Sequence, residues 1–283
     1  MTLTRRQFAA AMLAAAPAIV SISSVSAQEH EATSHRDKQP EPIPHDMSSM
    51  PDGWVKNNQI AILIYPAMTA LDMVAPHYAF ASLMGAKVHL VAKTRDPIVS
   101  DNGLTIMPTA TFDECPQELD VICIPGGSSG TLAAMKDDKT LDFVADRGEK
   151  AKFITSVCTG SLVLGAAGLL KGYRATSHWG ARDLLKEFGA VPVDKRVVID
   201  RNRLTGARVT AGMDLGLTVV AQLRDDLYAQ GVQLMAEYAP EPPYNAGTPA
   251  TAPEPVHQMM ADMFVGFVSE TSQAAKEIVA RRF

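Results

Sequence analysis

The sequence predicts an α/β protein, a three-layer sandwich around a mainly parallel sheet, and two observations carry that expectation. Three apolar runs, Gln59 to Tyr65, Leu119 to Ile124 and Lys152 to Val157, are nearly continuous, as in strands buried on both faces of a parallel sheet. Between them lie helical patterns, Ala70 to Met84 and Ser129 to Glu149, long enough for the crossovers that parallel strands require. Pro66 ends the first run and Pro125-Gly126-Gly127 ends the second. Further on, Val197 to Thr205 reads as a β-hairpin turning around Asp200 to Arg203, and Ala211 to Leu223 is again helical. One domain over residues 54–255 is expected, followed by a helix over 256–283. That helix carries Met259, Met260, Met263, Phe264 and Phe267 at helical spacing, a stripe suited to docking on the core or on a second subunit.

The 283 residues are 47% apolar and 20% charged, enough apolar material for a full-sized core. Lys and Arg number 26 against 31 Asp and Glu, a net charge of −5. The main body has no basic cluster, so a nucleic-acid partner would lack its usual electrostatic footprint. The three cysteines, Cys115, Cys123 and Cys158, cannot all pair and have no C-x-x-C spacing, which argues against a disulfide framework and a structural zinc site.

At the start, Thr4-Arg5-Arg6-Gln7-Phe8 precedes an apolar run, Ala9 to Val20, and small residues ending at Ala27. This is the pattern of a twin-arginine export signal over residues 1–27, with the twin-arginine machinery as partner and the periplasm as destination. The run is shorter than the roughly 20 residues of a spanning helix, and no later stretch is longer, so no stable membrane span is expected. Residues 28–53 are polar, with Pro40, Pro42, Pro44 and Pro51, and read as a flexible linker. Its His30, His35, His45, Met47 and Met50 have no spacing that would gather them around a metal.

The chemistry concentrates at Ser156-Val157-Cys158-Thr159-Gly160-Ser161, where an apolar strand passes into the helical stretch Leu162 to Leu169. Small residues on both sides permit a sharp turn that projects a nucleophile from the sheet edge, the logic of the G-x-S-x-G elbow with Cys in place of Ser. At a helix N-terminus the dipole and free N–H groups favour thiolate, so Cys158 is expected to be ionised and reachable. The bland alternative is a small buried hydrophobe. The N–H groups of Gly126 and Gly127, with that of Thr159, could converge beside Cys158 as oxyanion donors. Asp72, inside the apolar stretch Ala70 to Ala75, is either an exposed helix-start residue or a placed proton carrier at the same sheet edge. His178 either completes a Cys-His pair or is a hydrogen-bonded structural histidine. Asp214 and Arg182 suit structural partners on helices.

With Ala175-Thr176-Ser177-His178-Trp179 and Val209-Thr210-Ala211-Gly212-Met213-Asp214, these elements resemble the ThiJ/PfpI superfamily over about residues 58 to 252. The resemblance implies a class I glutamine amidotransferase-like, flavodoxin-like fold for the catalytic domain. The runs TSVCTGSLVLGAAGLLKGYRATSHW, DVICIPGG and VQLMAEYAPEPPYNAGTP look most like its isonitrile hydratase branch, lyases that turn R–N≡C into an N-substituted formamide. That likeness implies Cys158 as nucleophile, Asp72 as acid and base, and Thr159 as a further catalytic group. It implies a small-molecule substrate, a homodimer, and no metal or organic cofactor. Thr159 stands where the protease-like branch has a histidine, which makes peptide hydrolysis a poor expectation. Arg208 and His77 depart from the branch's pattern and bear on pocket shape. The rival reading is a non-enzymatic thiol that senses oxidants. A transcription regulator built on the same fold is not expected, because the segment after Tyr244 is short and an exported protein would not meet DNA.

Overall fold

In the computed structural model, residues 50–51 and 53–283 are described; the export-type segment and nearly all of the linker lie outside the described residues. The first elements of the described residues are β1 (Gln59–Leu63), α1 (Ala70–Ala81) and β2 (Lys87–Ala92), with Gly85 at φ +81 turning between the last two. A small hairpin of β3 (Ile98–Val99) and β4 (Thr105–Ile106) precedes β5 (Ala110–Thr111) and the fully buried β6 (Val121–Ile124). The predicted helix over Ser129 to Glu149 is two helices, α2 (Ser129–Lys136) and α3 (Asp138–Lys150). Asp137 separates them in an extended conformation, and its carboxylate accepts the Thr140 N–H, so one residue ends α2 and caps α3.

Next come β7 (Phe153–Val157), α4 (Gly160–Ala166), β8 (Arg174–Ala175), a 3-10 helix (Arg182–Phe188) and β9 (Val191–Pro192). The predicted hairpin is β10 (Val197–Asp200) paired antiparallel with β11 (Arg203–Gly206), Asp200 opposite Arg203 and the turn at Arg201-Asn202. Then follow α5 (Ala211–Leu223), with the predicted bounds, α6 (Asp226–Met235) and α7 (Glu254–Arg282).

The seven-stranded sheet runs β10-β11-β7-β6-β1-β2-β5, parallel throughout except for β10. Helices α1, α5 and α6 cover one face, and α2, α3, α4 and α7 gather on the other, giving the three layers. Small residues set how closely α1 and α5 approach. A Cβ on Gly216 would fall 2.6 Å from Ala79 Cβ, and one on Gly212 would fall 2.9 Å from Pro76 Cδ. α7 docks through Thr271, Ala274, Ala275 and Ile278, at most 3% exposed, and of the foreseen stripe Phe264 packs on His178 and Trp179 and Phe267 against the core. Small side chains let that part of the helix reach the core, whereas Met259 and Met263 stay exposed.

Candidate active site

Three neighbouring parallel strands, β7, β6 and β1, deliver their carboxyl ends to one rim of the sheet, the usual position of sites in open α/β sheets. β7 supplies Cys158, β6 supplies Pro125-Gly126-Gly127, and the turn after β1 leads to Asp72 in the first turn of α1.

Cys158 has φ +56, a left-handed conformation that costs a non-glycine residue energy. The surroundings hold it there. Its N–H donates to Gly206 O (2.9 Å), and its carbonyl accepts hydroxyls from Ser161 (3.2 Å) and Ser177 (3.1 Å). Gly160 is required because a Cβ there would lie 2.1 Å from Ile124 O. The turn is therefore a nucleophile elbow in geometry.

The expectation of an ionised, reachable thiol is corrected. Cys158 is 5% exposed, and burial, together with the Asp72 charge, pushes the thiol well above its ordinary range. The N–H and hydroxyl of Thr159 pull the other way but do not prevail. Desolvation outweighs a helix terminus here because α4 has only seven residues and its first turn is buried. The resting group is a thiol.

Asp72 is not an exposed helix-start residue; its relative exposure is 0%. Burial lifts its carboxyl from 3.8 to about 7, against the Gly126 N–H and the Cys158 side chain, both of which favour the charged form. Oδ2 accepts the Gly126 N–H at 3.0 Å, while the buried Oδ1 has no partner of good geometry. The two buried acids are thus coupled: the Asp72 charge raises the thiol, while the neutral thiol favours the carboxylate.

The oxyanion role foreseen for Gly126 and Gly127 is also corrected. Gly126 N–H is spent on Asp72, and Gly127 N–H donates to Thr159 Oγ1 (2.9 Å). The loop comes too close to the elbow to aim donors at a substrate. A Cβ on Gly126 would sit 2.6 Å from Thr159 N and 2.9 Å from Asp72 Oδ2. Of the three foreseen donors, the Thr159 N–H is the one that favours the Cys158 thiolate. The Thr159 hydroxyl donates to Gly127 O (2.6 Å), stapling the elbow to the glycine loop.

His178 does not form a Cys-His pair among the described residues. Its Nδ1 accepts the Gly180 N–H (3.3 Å), Phe264 and Trp179 pack on it, and burial lowers it to about 4, keeping the ring neutral. Asp214 binds Arg196 through Nε and Nη2, and Arg182 pairs with Asp194, both structural as foreseen. His77 is half-buried, and the Arg208 carbonyl accepts the Ala211 N–H where α5 begins.

Four residues with a part in the site went unread in the sequence: Ser161, Ser177, Tyr65 and Thr131. Tyr65 Oη donates to Pro125 O (2.6 Å), and Thr131 Oγ1 lies 2.9 Å from Thr159 Oγ1. The available signal was polar side chains inside apolar runs, since a buried hydroxyl needs a partner.

Residues 58–222 match the DJ-1/PfpI family. The chain belongs to the DJ-1/PfpI family. It is 51% identical over 198 residues to isonitrile hydratase of Pseudomonas putida, covering 70% of this chain and 86% of that protein. A deglycase of Thermococcus kodakarensis is 30% identical over 145 residues, 51% of this chain and 86% of its own length. A ThiJ/PfpI family protein of Pseudomonas syringae superposes with TM-score 0.78 at 56% identity, covering 85% of this chain and 98% of its own.

Proposed function

We propose that this DJ-1/PfpI protein is a lyase that hydrates an isonitrile to an N-substituted formamide through a thioimidate on Cys158. The observation that carries the reading is the buried thiol on a strained elbow beside a carboxyl poised near neutrality, in a chain 51% identical to an isonitrile hydratase. A neutral substrate suits a neutral, buried nucleophile. The terminal carbon of R–N≡C bonds to both sulfur and hydrogen, so the group that takes the thiol proton must return it to the atom the sulfur attacks. Asp72 is positioned for this: ionised, it accepts the Cys158 proton and delivers it to that carbon, giving R–N=CH–S–Cys158. Water then adds to the thioimidate carbon as Asp72 takes one of its protons. Asp72 gives that proton to nitrogen, and collapse to R–NH–CHO passes the remaining hydroxyl proton through Asp72 to the departing sulfur, which restores the thiol.

The sensor reading fits less well, because peroxide reacts with exposed thiolate and Cys158 is a buried thiol. Twin-arginine export to the periplasm belongs to the same proposal and rests on Arg5-Arg6-Gln7-Phe8, the apolar run and Ala27. No helix of the described residues is long and apolar enough to cross a membrane. Pairing as a homodimer is supported by the exposed Leu71 and Val74 on the helix that carries Asp72; light scattering that finds a single chain in solution would overturn it.

The decisive assay is formamide production from cyclohexyl isocyanide by the purified protein. Turnover is expected, rising with pH through about 7 as Asp72 ionises, and vanishing in Cys158→Ala. Turnover that survives in Cys158→Ala removes the thioimidate, and a wild type without turnover removes the isonitrile.

A further inference from the structure

The turn of the β3–β4 hairpin grips the bend that carries the chain from β1 into α1. Ala67 N–H donates to Val99 O (2.9 Å), and Asp101 N–H donates to Met68 O (3.0 Å). The bend needs holding, because Ala67 sits at φ +58, a left-handed conformation that costs a non-glycine residue energy. A third bond joins side chains. Thr69 occupies the N-cap position of α1, yet its hydroxyl makes no bond to the helix. It donates instead to the Asp101 carboxylate, with Oγ1 2.6 Å from Oδ2. A threonine at this position ordinarily caps helix N–H groups, so a local stabilisation is given up for a contact with the hairpin.

Thr69 is also the residue through which Asp72 is placed. Its N–H donates to Gly126 O (2.9 Å), its carbonyl accepts the Asp72 N–H (3.1 Å), and Gly126 N–H donates to Asp72 Oδ2 (3.0 Å). These bonds close a ring around Asp72, and the Thr69 hydroxyl ties that ring to the hairpin. A β-branched side chain is stiff about χ1, so fixing Oγ1 fixes the backbone that carries it. We infer that Asp101 is a positioning residue: by holding the Thr69 hydroxyl, it keeps the Asp72 carboxyl on the Gly126 N–H, where the proposed proton transfers need it. The inference deepens the proposed function and rests on Asp72 being its acid and base. Without the Asp101 acceptor the hydroxyl is free to turn back and cap α1, and the Thr69 backbone moves with it.

The test follows the Gly126 amide in proton–nitrogen correlation spectra from pH 5 to pH 9. Because this N–H is bonded to Asp72, its resonance should titrate with the carboxyl, around pH 7. In Asp101→Ala the size of that titration shift is expected to fall about two-fold or more, and turnover of cyclohexyl isocyanide at pH 8 about 10-fold or more, as a displaced catalytic group would give. Asp101→Asn, which keeps an acceptor for the hydroxyl, should restore both. The size is read rather than the midpoint, because the Asp101 charge itself raises Asp72 and both variants remove it. Should Asp101→Ala fail to fold, Thr69→Val breaks the same bond from the other side. An alanine or valine variant that melts earlier yet keeps the full Gly126 shift, or keeps wild-type turnover, overturns the inference, as does an asparagine variant that behaves like the alanine. The spectra need no isonitrile, so a wild type without turnover sinks the substrate reading alone, and an unchanged Gly126 shift sinks the role of Asp101 alone.

Discussion

Asp72 shows how strongly one buried carboxyl couples function to stability. Its ordinary value of 3.8 becomes about 7 in the folded chain. Between those limits the folded protein keeps a proton that the unfolded chain has released. This group's contribution to stability is therefore greatest below about pH 4, falls as pH rises toward 7, and levels off above it. The full penalty is about 4 kcal/mol at most. Asp72→Asn keeps the acceptor for Gly126 N–H and removes the buried charge. The variant is expected to melt at or above the wild-type temperature at pH 8, while turnover drops about 10²- to 10⁴-fold. Melting curves at pH 5 and pH 8 check this: a variant less stable than wild type at pH 8 would mean that the carboxylate pays its own way through contacts beyond the Gly126 N–H.

Among the elements, the turns after β6 and β7 act as one unit. The Thr159 hydroxyl ties the glycine loop to the elbow, and no side chain fits between them. Gly126→Ala must displace Thr159 or Asp72, groups the proposed reaction uses, so it is expected to lose more than 100-fold in kcat/KM. Its melting temperature should fall by several degrees, corresponding to overpacking of about 1–3 kcal/mol. Wild-type kinetics in Gly126→Ala would show that the loop can yield without moving the site. The same local physics explains which elements the sequence made readable. The run Val121 to Ile124 is buried on both faces, and its unbroken apolar character marked a strand. The break at Asp137 went unread because an aspartate inside an amphipathic pattern is common on a helix surface. Only its extended backbone and bond to Thr140 make it a cap.

For the whole molecule, residues 1–27 bear on where the proposed reaction takes place. If the paired arginines direct export of the folded chain, Arg5→Lys combined with Arg6→Lys should leave the protein in the cytoplasm, and fractionation with immunoblotting reads the outcome. Equal periplasmic amounts of variant and wild type would refute the signal. A thiol site assembled before export is compatible with that route, and Cys115, Cys123 and Cys158 are all free in the folded chain.

Local pattern was sufficient to reveal the α/β layering and the strand that hands Cys158 to a short helix, because periodicity and small-residue spacing are properties of neighbours along the chain; it left Asp72 open between an exposed helix start and a proton carrier at the same rim. The protonation states and the direction of each hydrogen bond were settled by packing across the chain. Burial raised both acids, and close approach of the β6 and β7 turns consumed the glycine N–H groups. Ser177 and Thr131, 19 and 28 residues from the groups they bond at the elbow, were brought there by the fold alone. Desolvation and hydrogen-bond accounting depend on which atoms surround a group in three dimensions, and that is information no linear spacing contains.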